Sequence, residues 1–306
     1  MSTGDDHGTT LVGVTRRACW PAAPGVYTED DVCVDPALGL AAVARGVGAI
    51  GGQGKPAGKL AVWSVAGELA RAAPDEARDV VLRRGLARAD QAIARLTAAW
   101  SPGLLRPHAM IAAVVLDGAQ LIVAHVGRCR VSRLGPAGVE PLTVDHTVAA
   151  TGEVDGAHPA ARVVTRTLGR GGTPDLRRID VRAGDVLALT APPLEERVAP
   201  AALADALGRI AAAGVAIAPV ADALVAQAAS ASPRSGAATL ALVRIERGGA
   251  VAPASRASSA PPRPPWLYRP GAALASPPPA WCAGAAAGGP DAAWFAEVFD
   301  EVMAGD

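Results

Sequence analysis

The sequence is short of aromatic and lysine side chains and carries no excess of either charge. Only 3% of its 306 residues are Phe, Trp or Tyr, and Trp20, Tyr27, Trp63 and Trp100 are the only ones before residue 260. Since 50% of the chain is nonetheless hydrophobic, a sizeable core is expected, packed from small and branched side chains. Lysine occurs only as Lys55 and Lys59, the arginine bias expected of a GC-rich bacterial genome. Acids and bases balance at 29 each, so no general attraction to nucleic acid or to an acidic membrane is expected. Cys19, Cys33, Cys129 and Cys282 stand singly, with no CxxC and no Cys/His spacing. That argues against a zinc motif and a disulfide framework, and points to the reducing cytoplasm. No apolar run reaches the ~20 residues of a membrane span. The opening MSTGDDHGTT is polar and acidic, unlike a signal peptide.

What is present is a patterned stretch to residue 247, followed by a change of composition. Alternation and turn residues predict strands over 9–14, 31–45 (split at Asp35-Pro36), 109–117, 120–127, 129–134, 139–144, 162–168, 176–182 and 185–190. Asp117-Gly118 is a strong hairpin turn, and Ala183-Gly184 is another turn. Helical spacing predicts helices over 58–72, 75–99, 200–213 and 217–230, and a last strand, ATLALVRIE, ends near Glu246. Strands joined by tight hairpins, with helices in pairs, predict an α+β fold of antiparallel sheets with helices on their outer faces. Residues 248–290 are rich in Ala, Pro, Gly and Ser without periodicity, the composition of a flexible linker. Residues 291–306 read as a short acidic helix, capped by Asp291, with Trp294, Phe295, Val298, Phe299 and Val302 on one face. Two roles are open to it: folding back on the preceding domain, or docking into a groove of a protein partner.

Residues 38–58, LGLAAVARGVGAIGGQGKPAG, hold a literal GxGxxG at Gly46, Gly48 and Gly51. A dinucleotide site needs a helix that starts within the glycines and an acid about 20 residues on, after a second parallel strand. Here Gly52, Gly54, Pro56 and Gly58 postpone the helix, and another helix follows it. A Walker loop would need glycine at Ala49 and a hydroxyl at Pro56. Neither nucleotide motif fits.

A longer pattern does. TEDDVCVDPALGLAAVARGVGAIGGQGKPAG resembles the opening of the PPM-type, metal-dependent (type 2C-like) serine/threonine phosphatases, which runs roughly NEDA, strand, hairpin, strand, ADGMGG and a glycine-rich turn into a helix. LIVAHVGRCRVSRL is similar to the family's ANVGDSRAYLL, PLTVDHT to LTRDHS, and VVTRTLG to LTRALG. VRAGDVLALTAPPLEERV is similar to LKPGDRLLLCSDGLTDVV, and SGAATLALVRI to the closing DNITVVVVRV. The matches come in the family's order over roughly residues 8–246, so that 1–247 is expected to form one PPM-like domain. The resemblance implies a four-layer α/β/β/α sandwich of two antiparallel sheets between helix pairs.

The resemblance also implies a reaction that uses two manganese or magnesium ions, held by aspartates and one backbone carbonyl, to activate a bridging water. The bridging aspartate of ADGMGG falls on Arg45, leaving only Gly46 as the carbonyl donor. The aspartate of SDGL falls on Pro192, the closing Asp-Asn pair on Gly236 and Ala237, and the aspartate of GDSR on Arg128. Glu29-Asp30 survives in what the resemblance makes a supporting position. A guanidinium cannot ligate a metal, and ~4 Å from a divalent ion it would add repulsion of about 8 kcal/mol at an effective dielectric near 20. The cofactor and its hydrolysis are therefore expected to be lost. The chain reads as a pseudophosphatase that binds, regulates or scaffolds in bacterial phospho-signalling; the alternative is a phosphatase with residual or altered activity.

Arg45 then has two readings. It pairs with Glu29 or Asp30 and closes the old pocket, or it joins Arg128, Arg130 and the nearby Arg16 and Arg17 in a positive cleft for a phosphate. Cys129 between Arg128 and Arg130 lacks the arginine six residues on that cysteine-based phosphatases need, since Gly135 stands there, so it reads as an inert thiol. His125 and His146 sit inside the family-like strand and turn motifs, and Asp145-His146 reads as a hydrogen-bonded corner rather than a catalytic dyad.

Overall fold

The computed structural model describes residues 9–20, 28–48, 54–98, 106–135, 138–212, 215–231 and 236–247. The expected linker (248–290) and terminal helix (291–306), with Trp294, Phe295, Val298, Phe299 and Val302, lie outside the described residues.

Among the described residues, ten strands and five α-helices follow one another as β1 (Thr9–Trp20), β2 (Asp30–Asp35), β3 (Leu40–Val47), α1 (Lys55–Arg71), α2 (Arg78–Ala98), β4 (His108–Asp117), β5 (Gln120–Val126), β6 (Arg130–Gly135), β7 (Gly138–Pro141), β8 (Asp175–Asp180), β9 (Val186–Thr190), α3 (Pro192–Glu195), α4 (Pro200–Ala211), α5 (Ile217–Ser230) and β10 (Gly236–Arg247), with one short 3-10 turn at Ala149–Thr151. Two five-stranded sheets result, in the orders β1-β10-β9-β6-β7 and β2-β3-β4-β5-β8. Every ladder is antiparallel. Side chains alternate across each sheet, so each strand serves two cores. Leu40, Ala42, Ala44, Ile111 and Ala113 pack under α1 and α2, while Ala41, Val43, Ala112 and Val114 meet Leu187, Leu189, Ala241 and Val243 of the other sheet. Ala188, Leu240 and Leu242 turn away from that interface to α4 and α5. This is the expected four-layer sandwich. It explains why β4, HAMIAAVVLD, shows no polar alternation: both its faces are covered, and nine of its ten residues are buried. The largest fully buried side chains are all Leu or Ile, as the scarcity of aromatics requires.

Several boundaries differ from the sequence reading. β1 runs on through Arg16 and Arg17 because β10 pairs with it from Thr9 to Trp20. Helix α1 begins at Lys55, not residue 58, since a proline in the first turn has no amide to satisfy. Helix α2 begins at Arg78; Glu76, ahead of it, is ion-paired with Arg84. Residues 162–168 do not form a strand: β5 takes the place beside β4 as far as Ile111, and Leu168 adds only one bridge beyond it, at Ala109.

Candidate functional site

Several of the residues singled out from the sequence, Asp30 and Arg45 among them, gather around the buried Cys129. Asp30 and Arg45 are direct partners in the β2–β3 ladder. Arg45 continues the odd-numbered face of β3, that of Ala41 and Val43, which looks into the inter-sheet core. Its Nη1 donates to Asp30 Oδ1 at 3.1 Å; the Asp30 side chain is wholly buried and that of Arg45 is 29% exposed. The other Asp30 oxygen, Oδ2, is buried without a hydrogen-bond partner. Arg17 enters from β1, donating to the Asp30 carbonyl at 3.0 Å and to Asp31 Oδ1 at 2.8 Å, and Trp63 Nε1 donates to Asp31 Oδ2 at 3.2 Å. Burial raises the Asp31 carboxyl against the pull of Arg17 and Lys59, and lowers the Lys59 ammonium to about 8. Arg16, its neighbour in sequence, points the opposite way and pairs with Asp222 of α5, so it has no part in this site.

The glycines after Arg45 serve backbone packing. Gly46 donates its N–H to the Glu29 carbonyl at 3.0 Å, and Gly54 donates to the Glu29 carboxylate at 3.1 Å. A Cβ at Gly46 would lie 1.7 Å from the Gly54 carbonyl oxygen, and one at Gly58 would lie 2.7 Å from that of Glu29. Only hydrogen fits where three stretches of main chain meet.

A second group of charges faces the first across Cys129. Arg130, at the start of β6, binds Asp145 with Nε and Nη2, both at 2.7 Å, and its Nη1 also pairs with Glu195. Arg128 reaches Glu196 at 3.1 Å and Asp145 at 3.6 Å, and Arg162 reaches the same Glu196 oxygen at 3.1 Å. Thr190 donates its hydroxyl to Glu195. Burial nevertheless pushes Glu195 up to about 7, outweighing Arg130, Thr190 and Arg128. The buried Cys129 thiol is raised well above its ordinary value by burial, with Asp30 adding and Arg45 opposing. Burial thus disfavours the thiolate that a nucleophile would need.

Glu195 and Glu196 were not singled out in the sequence; their signal was the pair LEER, which follows the substituted SDGL motif. Pro192 opens α3, which places both acids. Gly236 and Ala237 begin β10, and the Ala237 carbonyl accepts from Arg197 at 3.3 Å.

The His corner lies next to this group. Gly127 donates its N–H to His146 Nδ1 at 3.2 Å, so the ring proton sits on Nε2 and donates to Asp175 Oδ2 at 3.0 Å. His125 Nε2 donates to the Val144 carbonyl at 2.7 Å, and the two rings lie 4.3 Å apart. The corner therefore uses Asp175; Asp145, the acid adjacent to His146 in sequence, belongs to Arg130.

Manganese and magnesium need several oxygen ligands with compensating negative charge. Arg45, Arg128, Pro192, Gly236 and Ala237 offer no side-chain carboxylate, and the nearby Asp30, Asp145, Glu195 and Glu196 are each paired with arginine. Among the described residues only His125, His146 and Asp175 bring three potential ligand atoms within 4.8 Å of one another. A metal on His146 Nε2 would have to displace the proton that the Gly127 amide fixes there. The residues present do not fit the dinuclear centre.

The sequence matches no protein-family model and no curated protein. Solved structures do match. PppA, a key regulatory component of T6SS in Pseudomonas aeruginosa, superposes with a TM-score of 0.61 at 23% identity, covering 77% of this chain and 99% of that one. The Mycobacterium tuberculosis serine/threonine phosphatase PstP gives 0.63 at 23% identity over 78% and 99%. The S. agalactiae serine/threonine phosphatase gives 0.64 at 20% identity over 78% and 100%. Among the described residues no helix is long and apolar enough to cross a membrane. With two antiparallel five-stranded sheets between helix pairs and these structures as its likenesses, the chain has the fold of the PPM-type serine/threonine phosphatases.

Proposed function

We propose that this chain is a catalytically inactive PPM-type phosphatase homologue that acts by binding, as a regulatory or scaffold component of bacterial phospho-signalling. The observation that carries this reading is the Arg45–Asp30 pair, which sets a fixed positive charge at the position where the sequence resemblance expects a metal-bridging aspartate. PppA is described as a key regulatory component of T6SS, which supports a regulatory setting for this fold. A partner protein is the ligand class we assign, with the acidic aromatic segment 291–306, expected from its sequence to be helical, as a second contact. The competing reading, a phosphatase with residual or altered activity, draws on the retained fold and on the surviving Glu29-Asp30 and Gly46.

Hydrolysis of p-nitrophenyl phosphate with and without manganese or magnesium, together with calorimetric titration of manganese, separates the two. We expect neither metal-dependent turnover nor a heat of binding. Turnover by the unmodified protein that rises with metal and vanishes with chelator overturns the reading.

A further inference from the structure

We propose that Glu195 and Glu196 form an internal plug on an oxyanion site built by Arg128, Arg130 and Arg162, and that a phosphate monoester carried by a partner protein displaces them. The inference rests on the binding reading above and names its ligand. The three guanidiniums come from separate places, the turn after β5, the start of β6 and the segment between β7 and β8, yet all turn to two successive carboxylates at the end of α3. One Glu196 oxygen accepts a hydrogen bond from Arg128 and is ion-paired with Arg162, both at 3.1 Å, and Arg130 meets the Glu195 carboxylate. Several arginines converging on a few anionic oxygens is also how phosphate esters are held. Asp145 takes the other edge of Arg130 in a two-pronged pair and so aims it at the plug.

Charge and access agree with this arrangement. With both glutamates displaced, three guanidiniums face the single carboxylate of Asp145, an excess of two positive charges that matches a phosphate dianion. The side chains of Glu196, Arg130 and Arg162 are 40%, 40% and 67% exposed, so an incoming phosphate can reach them. The site needs no metal and no buried cation without a counter-charge, because the plug neutralises it in the free protein. Burial favours the neutral form of Glu195, which weakens its hold relative to a dianion.

The test is fluorescence anisotropy of a labelled phosphothreonine peptide, with its unphosphorylated twin, titrated with the full chain at low salt. Glu196→Gln should tighten phosphopeptide binding about tenfold over the unmodified protein, and adding Arg162→Ala to that variant should reverse the gain. Both positions are well exposed, and unchanged thermal melting verifies that the fold survives. If a folded Glu196→Gln variant gains nothing, or gains equally for the unphosphorylated peptide, the plug is refuted. Phosphate release from the peptide in the same samples would refute the non-catalytic reading and leave the plug standing, so the two failures are distinguishable.

Discussion

Replacing Arg45 with leucine tests whether this residue took over the work of a cation in the pocket. The Asp30 side chain is wholly buried and its second oxygen already lacks a partner, so no spare donor is at hand when the guanidinium goes. Removing one member of a buried pair costs about 3–5 kcal/mol. Arg45 keeps 29% of its side chain in solvent, which screens part of the interaction and brings the expectation down to about 2–3 kcal/mol. Asp30→Asn retains an acceptor for Arg45 and leaves the guanidinium access to water, so about 1 kcal/mol is expected. In the double variant the uncompensated charge is gone, and the two losses should fall short of additivity by about 1–2 kcal/mol. Urea denaturation of the full chain reads this directly, as midpoint shifts at unchanged slope. If Arg45→Leu costs less than about 0.5 kcal/mol, or the single losses add in the double variant, Arg45 does not compensate Asp30, and the argument from charge replacement fails.

Three further outcomes are expected. Glu195 has a folded-state value of about 7 against an ordinary 4.5, so the folded protein binds the extra proton between those values. Its contribution is full below about pH 4.5 and is lost as pH rises through 7, with an amplitude of at most about 3 kcal/mol; Glu195→Gln should flatten that slope in urea midpoints taken from pH 5 to 8. Gly46→Ala should prevent folding or lower the melting temperature by more than 10 degrees, roughly a 3 kcal/mol penalty, because the new Cβ would lie 1.7 Å from the Gly54 oxygen. Gly208→Ala, in α4 with nothing within 4 Å of its added carbon, should instead stabilise by about 0.5–1 kcal/mol; equal melting of the two variants refutes the packing account. Deleting residues 287–306 should leave the melting temperature unchanged, and a loss of several degrees would show that the terminal helix docks on its own domain.

The layered fold was legible because its determinants are local. Period-two apolar segments, Asp117-Gly118 and Ala183-Gly184 turns, and paired amphipathic helices each recur in the structure close to where they were expected, with positive φ at Gly118 in the β4–β5 hairpin and at Gly184 in the turn that carries the chain from one sheet to the other. VVTRTLG misled because β-propensity says nothing about whether a ladder place is free, and β5 had taken it. Arg16 and Arg17 show the same limit in miniature. Adjacent residues on a strand face opposite ways, so two arginines that looked alike in sequence serve Asp222 of α5 and Asp31 of the site. The partners of Arg128 and Arg130 were the least visible, since Glu195 lies 65 positions beyond Arg130 and meets it only when β6 and β9 pair.

The changes around this pocket are coupled in charge as well as in place. Arg45, Arg128, Arg130 and Arg162 stand against Asp30, Asp145, Glu195 and Glu196, four charges of each sign, so the pocket is neutral when every group is ionised. Four carboxylates without those arginines would be unstable unless cations were bound, and four arginines without the acids would repel one another. Balance with partly exposed, readily exchanged pairs on the α3 side, and a wholly buried carboxylate on the β2 side, divides the pocket into a half that can open and a half that holds the hairpin in place. Substitutions at Glu196 or Arg162 should therefore alter ligand binding with little change in stability, whereas substitutions at Arg45 or Asp30 should do the reverse; stability losses of similar size in the two halves would remove the basis for assigning the α3 side a binding role.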